Sequence, residues 1–110
     1  MAIPHAASNQ VVSVKPLGPD LAATKTSTLL KTEHMQVIRL VVPAGKEIPA
    51  HDAPGEITVQ CVEGRVAFTA SGTTQELGPG QLIYLTAGET HALRGLEDSS
   101  LLVTILSGRG

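Results

Sequence analysis

Short apolar runs separated by Gly and Pro recur along the whole chain, and helical periodicity is nowhere sustained beyond about two turns. The runs fall at 11–14, 26–32, 35–42, 57–62, 65–70, 73–77, 81–85, 91–94 and 101–106. Their breakers are chemically specific. Lys15-Pro16-Leu17-Gly18-Pro19-Asp20 cannot continue a central strand, because two prolines remove ladder donors. Ser71-Gly72 between two alternating runs reads as a tight hairpin, and Gly78-Pro79-Gly80 as a second turn. Val42-Pro43-Ala44-Gly45 and the stretch 49–55 bracket a loop that carries His51 between two strands. Many short strands at this spacing predict an all-β sandwich or barrel.

Alternation assigns the faces. In Ile57-Thr58-Val59-Gln60-Cys61 the odd positions are apolar, so Ile57, Val59 and Cys61 are expected in the core, with Val66 and Phe68 continuing that face after Gly64. From Val37 to Val42 both faces are apolar except at Arg39, and the run 101–106 has the same character. Such strands are expected to be covered on both sides, by other parts of the chain or by a second subunit, and the excess apolar surface points to a homodimer.

Composition narrows the class. A chain of 110 residues with 42% hydrophobic and 16% charged residues is one domain, able to fold without disulfides; the core is expected over about 11–106, with frayed ends. A net charge of −2 with scattered Lys and Arg, and only one Phe and one Tyr, leaves neither a basic field nor a stacking platform for nucleic acid. No apolar run approaches the roughly 20 residues of a membrane-spanning helix. The single cysteine, Cys61, and the absence of a charged, then apolar leader in MAIPHAASNQ fit a soluble cytoplasmic protein.

Two segments carry the candidate chemistry: Gly45-KEIPA-His51-Asp52-Ala53-Pro54-Gly55-Glu56-Ile57-TVQCVE-Gly64, and Gly80-QLIYL-Thr86-Ala87-Gly88-Glu89-Thr90-His91-Ala92-Leu93-Arg94-Gly95. Together they resemble the paired motifs of the cupin superfamily, the first in both glycines and its first His, the second in three of its five fixed letters including its His. The sixteen-residue step from Gly64 to Gly80 resembles the short spacer of compact bacterial cupins. The resemblance implies an antiparallel double-stranded β-helix, or jelly-roll barrel, with a pocket between its sheets. It also implies a divalent metal held by two His and a Glu of the first motif and the His of the second. His51 and His91 match the first and last of these positions, whereas Ala53 stands where the second His would be and Ile57 where the Glu would be.

A metal site therefore depends on substitutes, since two imidazoles alone hold a divalent ion poorly. Glu56 is one position out of register, and strict alternation aims it away unless the Pro54-Gly55 turn reverses it. Gln60 has a usable amide oxygen but points outward unless a bulge near Thr58 turns it in. His51 and His91 are read as lining the pocket with Ile57, Val59, Leu40 and Tyr84; the alternatives are a solvated loop histidine and a strand-start histidine bonded to a carbonyl. His5 and His34 share no register with either motif and are read as surface residues. Cys61 mid-strand on an apolar face reads as an inert core thiol. The arginines read as outward and solvated, although any could bind a carboxylate or phosphate.

Three functions remain open at this point. The first is binding of a small molecule in the barrel pocket, with or without a divalent metal on His51 and His91. The second is a mononuclear enzyme of the dioxygenase or isomerase class, using Fe, Mn, Ni or Zn as Lewis acid. The third is a structural or interaction dimer with an inert pocket.

Overall fold

The structure, a computed structural model, describes residues 5–107. Among them the chain forms nine strands: β1 Ser27–Lys31, β2 Met35–Val42, β3 Glu47–His51, β4 Ile57–Glu63, β5 Val66–Ala70, β6 Thr73–Leu77, β7 Leu82–Leu85, β8 His91–Gly95 and β9 Ser99–Leu106. All pairings are antiparallel, in a five-stranded sheet ordered β1-β2-β9-β4-β7 and a four-stranded sheet ordered β3-β8-β5-β6. This is the jelly-roll arrangement, in which two sheets bury their apolar faces against each other.

The alternation read from β4 holds. Ile57, Val59 and Cys61 are buried, and they join Val42, Val66, Phe68, Leu77, Leu85, Leu93, Leu101 and Val103 in one core cluster. Phe68 is fully buried, and truncating such a ring to Ala costs about 3–5 kcal/mol. The β5–β6 hairpin closes through Ser71 and Gly72, with φ of 52° and 74°. Two successive positive φ values are the twist that a two-residue hairpin loop needs.

Four segments depart from the sequence reading. The run 11–14 is not a strand, and Val11 is 95% exposed. Nearby, the free edge of β1 is met by the Ala6 N–H, which donates to the Leu29 carbonyl, before the prolines at 16 and 19 turn the chain across the outer face of the larger sheet. Pro19 opens a 3-10 helix, Gly18–Ala23, where its missing N–H is no loss. Second, Arg39 is not solvated but 7% exposed. Its Nη2 donates to the Ser13 carbonyl at 3.4 Å, so the chain's own N-terminal segment covers part of the outer face of β2.

Third, His51 does not lie in a loop but ends β3. Because β3 is the edge of its sheet, Pro49 is tolerated within it. Fourth, β9 starts at Ser99, two residues before the apolar run, since Ser99 and Ser100 pair with Val42 and Val41 and satisfy their hydroxyls internally.

Candidate functional site

His51 and His91 face each other across the β3–β8 ladder, with ring centroids 4.3 Å apart and planes tilted by 58°. Both are oriented by the same local device. The Nδ1–H of His51 donates to the Pro49 carbonyl at 2.9 Å, and that of His91 to the Glu89 carbonyl at 3.0 Å. A carbonyl only accepts, so each Nδ1 carries a proton, and in the neutral ring Nε2 is then the acceptor, on the side of the ring away from its own backbone. Among the described residues neither Nε2 has a hydrogen-bond partner. His91 is only 5% exposed and lies parallel to Phe68, with 5.6 Å between centroids, whereas His51 is exposed at the rim.

Two adjoining cavities meet at this pair. The outer one, about 340 Å³, is bounded by Lys31, Gln36, Asp52, Ala53 and Leu106 around the histidines. The inner one, about 150 Å³, is walled by Ile38, Leu40, Ile48, Val59 and Leu93. His51, His91, Ile57, Val103 and Ile105 border both, so the two cavities adjoin between the sheets at a neck lined by the histidine pair. The inner chamber is apolar apart from the histidines; Lys31 and Asp52 border only the outer one.

Of the residues expected at the pocket, the structure brings His51, His91, Ile57, Val59 and Leu40 together. Tyr84 is not among them. It is opposite Thr58 and 51% exposed on the outer face, because its neighbours Ile83 and Leu85 take the inward positions of β7. Its hydroxyl donates to Glu56 Oε2, and this carboxylate acceptor pushes the phenol's pKa up. Glu56 is thereby committed to the outer face. Gln60 also points outward, between Leu82 and Leu102, since the β4 ladders run without a bulge from Ile57 to Cys61. The sequence reading missed Ile38, Ile48, Leu93, Val103 and Ile105. The signal was present for Val103 and Ile105, whose alternation with Thr104 marks one face of β9, but Ile48 lay in the segment read as loop.

A resident transition metal does not fit this donor set. Among the described residues no group of three or more His, Cys, Asp and Glu side chains is placed to hold an ion. The wall beside the two imidazoles is Ile57, 3% exposed, where a carboxylate would be needed. Cys61 is no substitute. It is fully buried at the other end of β4, its Sγ donates to the Glu63 and Gly64 carbonyls, and burial pushes the thiol's pKa up. No helix among the described residues is long and apolar enough to cross a membrane.

The fold recurs in solved structures. A conserved protein of unknown function from Streptococcus pyogenes superposes with a TM-score of 0.76 at 21% identity, over 100% of this chain and 97% of that one. A cupin superfamily protein from Desulfitobacterium hafniense gives 0.75 at 17%, over 92% and 98%. A predicted oxalate decarboxylase from Thermotoga maritima gives 0.67 at 20%, over 74% and 78%. No curated protein matches the sequence. The family model described as Cupin domain matches residues 38–108, a span holding both histidines and eight of the nine strands wholly or in part, and with the barrel and its pocket already evident the chain belongs to the cupin family.

Proposed function

We propose that this cupin binds a small molecule in the pocket between its sheets, with His51 and His91 as the polar anchors. The observation that supports the reading is that two adjoining cavities share His51 and His91 in their walls, which gives an apolar site with few, convergent polar groups. Benzene is a suitable first probe, since a dry apolar cavity of about 150 Å³ accepts a molecule of that size. Titration followed by methyl NMR is expected to shift Val59, Leu93 and Val103. Unshifted methyls at saturating benzene would make the barrel interior inert and favour an assembly role.

A metal-dependent enzyme is the second reading, and what favours it is the orientation of both imidazoles. Histidines whose Nδ1–H is held by a carbonyl are set to ligate through Nε2. An ion there would act as a Lewis acid, but the chain supplies it with two ligands only. Elemental analysis after incubation with Fe, Mn, Ni and Zn separates the readings: a stoichiometric ion lost in both His51→Ala and His91→Ala would support the enzyme. The homodimer is also proposed here, resting on the exposed Leu82, Tyr84 and Leu106 side chains.

A further inference from the structure

We infer that the His51–His91 pair works without a metal, as a hydrogen-bond acceptor site for a neutral ligand that combines a benzene-sized apolar group with one O–H or N–H donor. This rests on the pocket being a binding site, and adds which chemistry it reads. His91 is 5% exposed, its Nδ1–H is consumed by the Glu89 carbonyl, and its Nε2 has no partner among the described residues. This nitrogen is not sealed from solvent, since among the described residues the buried side-chain atom without a partner is Arg39 Nη1, so a ligand that displaces its water and donates to it is favoured over one of the same shape that does not.

His51 is exposed at the rim, but its Nδ1–H is likewise held, by the Pro49 carbonyl, and its ring stands 4.3 Å from that of His91, so its Nε2 offers a second acceptor beside the first. Two acceptors side by side select a donor and disfavour another acceptor: a carboxylate or carbonyl oxygen would meet lone pairs. The usual occupant of two converging imidazole nitrogens is a cation, but Ile57 and Ala53 at the neck and mouth remove the ligands that would complete its shell. Directly below the pair the inner chamber offers Ile38, Leu40, Ile48, Val59 and Leu93 and no charged side chain. Such a wall disfavours an ionic ligand there, because stripping a charge of water is costly. The ligand is thus an amphiphile in miniature: its apolar body fills about 150 Å³ and its single donor rests at the neck, with the outer chamber leaving room for a longer substituent.

Phenol and toluene match in size and differ in the donor, so their relative affinity isolates the inference. Both are titrated by methyl NMR in the presence of EDTA, against the wild-type chain and against His91→Leu, with toluene binding reporting that the variant's chamber is intact. His51→Leu serves the same comparison should His91→Leu fail to fold. Phenol is expected to bind in EDTA, and its preference over toluene to fall about tenfold in the variant, the equivalent of one buried hydrogen bond. An unchanged preference, or phenol binding that appears only when Zn²⁺ replaces EDTA, overturns the inference. Toluene binding with no phenol binding does so too, while leaving the pocket's binding role standing. If neither probe binds, both readings fall together.

Discussion

Gly64 is packed so tightly on Ser99 that a β-carbon at this glycine would lie 2.3 Å from Ser99 Oγ and 2.3 Å from the Asp98 carbonyl oxygen. Its φ of +82° adds a backbone conformation that L side chains rarely adopt. Gly45, the other glycine of the first motif, has a similar φ of +83° but nothing within 4 Å of the added carbon. The two should therefore separate conformational cost from steric cost. Gly45→Ala is expected to lose about 1–2 kcal/mol of stability, the penalty for a left-handed residue. Gly64→Ala should lose roughly 1–3 kcal/mol more from overpacking. Urea unfolding of the two variants checks this, and equal losses would mean that the Gly64 contact relaxes freely.

That glycine shows what was legible in the sequence. Its place in the motif was readable, but the reason, a backbone turn wedged under Ser99, depends on a strand that begins two residues before the apolar run. The core face of β4 was readable because Ile57, Val59 and Cys61 alternate with polar residues. Tyr84 was not, because every residue of Leu82-Ile83-Tyr84-Leu85 is apolar and the inward set is fixed only by pairing with β4. The run 11–14 has strand-like residues but no ladder partner among the described residues, and β3 was hidden by Pro49, which only an edge strand tolerates. The two histidines were found from their register, and their opposition across β3 and β8 came from the fold.

Glu63 ties the N-terminal segment down. Its carboxylate accepts the N–H of Leu17 at 2.8 Å and of Gly18 at 3.0 Å, and also the Ser100 hydroxyl. Burial by itself would raise its pKa, but the hydrogen bonds from Ser100, Leu17 and Gly18 and the charge of Arg39 outweigh that and hold it below the ordinary 4.5. A depressed folded pKa contributes stability that is present above the unfolded value and is lost as pH falls through the folded one. Glu63→Gln should thus be less stable than wild type at neutral pH, by on the order of 1 kcal/mol. The difference should close in acid, and amide exchange at Leu17 and Gly18 should speed up in the variant. A constant gap across pH would place the effect in packing instead of charge.

Leu82, Tyr84 and Leu106 are 55%, 51% and 41% exposed, and Tyr84 and Leu106 border one shallow depression on the outer face of the larger sheet with Thr58 and Thr104. The N-terminal segment covers Arg39 on β2, so it accounts for only part of the apolar surface that the alternation pattern left over. If a second copy covers the remainder, light scattering at micromolar concentration should give twice the monomer mass, and Leu82→Lys with Tyr84→Lys should return it to the monomer. A wild-type monomer would leave this face solvated.

The missing metal ligands can be put back. Ile57 borders the same neck as both histidines, and Ala53 borders the mouth beside them, so a carboxylate at 57 and an imidazole at 53 would add the two donor types that the pair lacks. Alone, His51 and His91 should hold Zn²⁺ weakly, because two neutral ligands leave most of the shell to water. Ala53→His with Ile57→Glu is expected to tighten Zn²⁺ by at least about a hundredfold in a competition titration, each added ligand contributing on the order of tenfold. Without metal the double variant should be less stable, by several kcal/mol, since it buries a carboxylate in place of a packed Ile side chain. Zinc should recover most of that loss. Unchanged zinc affinity in a folded double variant would mean that the side chain at 57 does not reach the histidine nitrogens. Stoichiometric zinc already bound by the wild-type chain would mean that two imidazoles suffice here, and the neck would then be a metal centre after all.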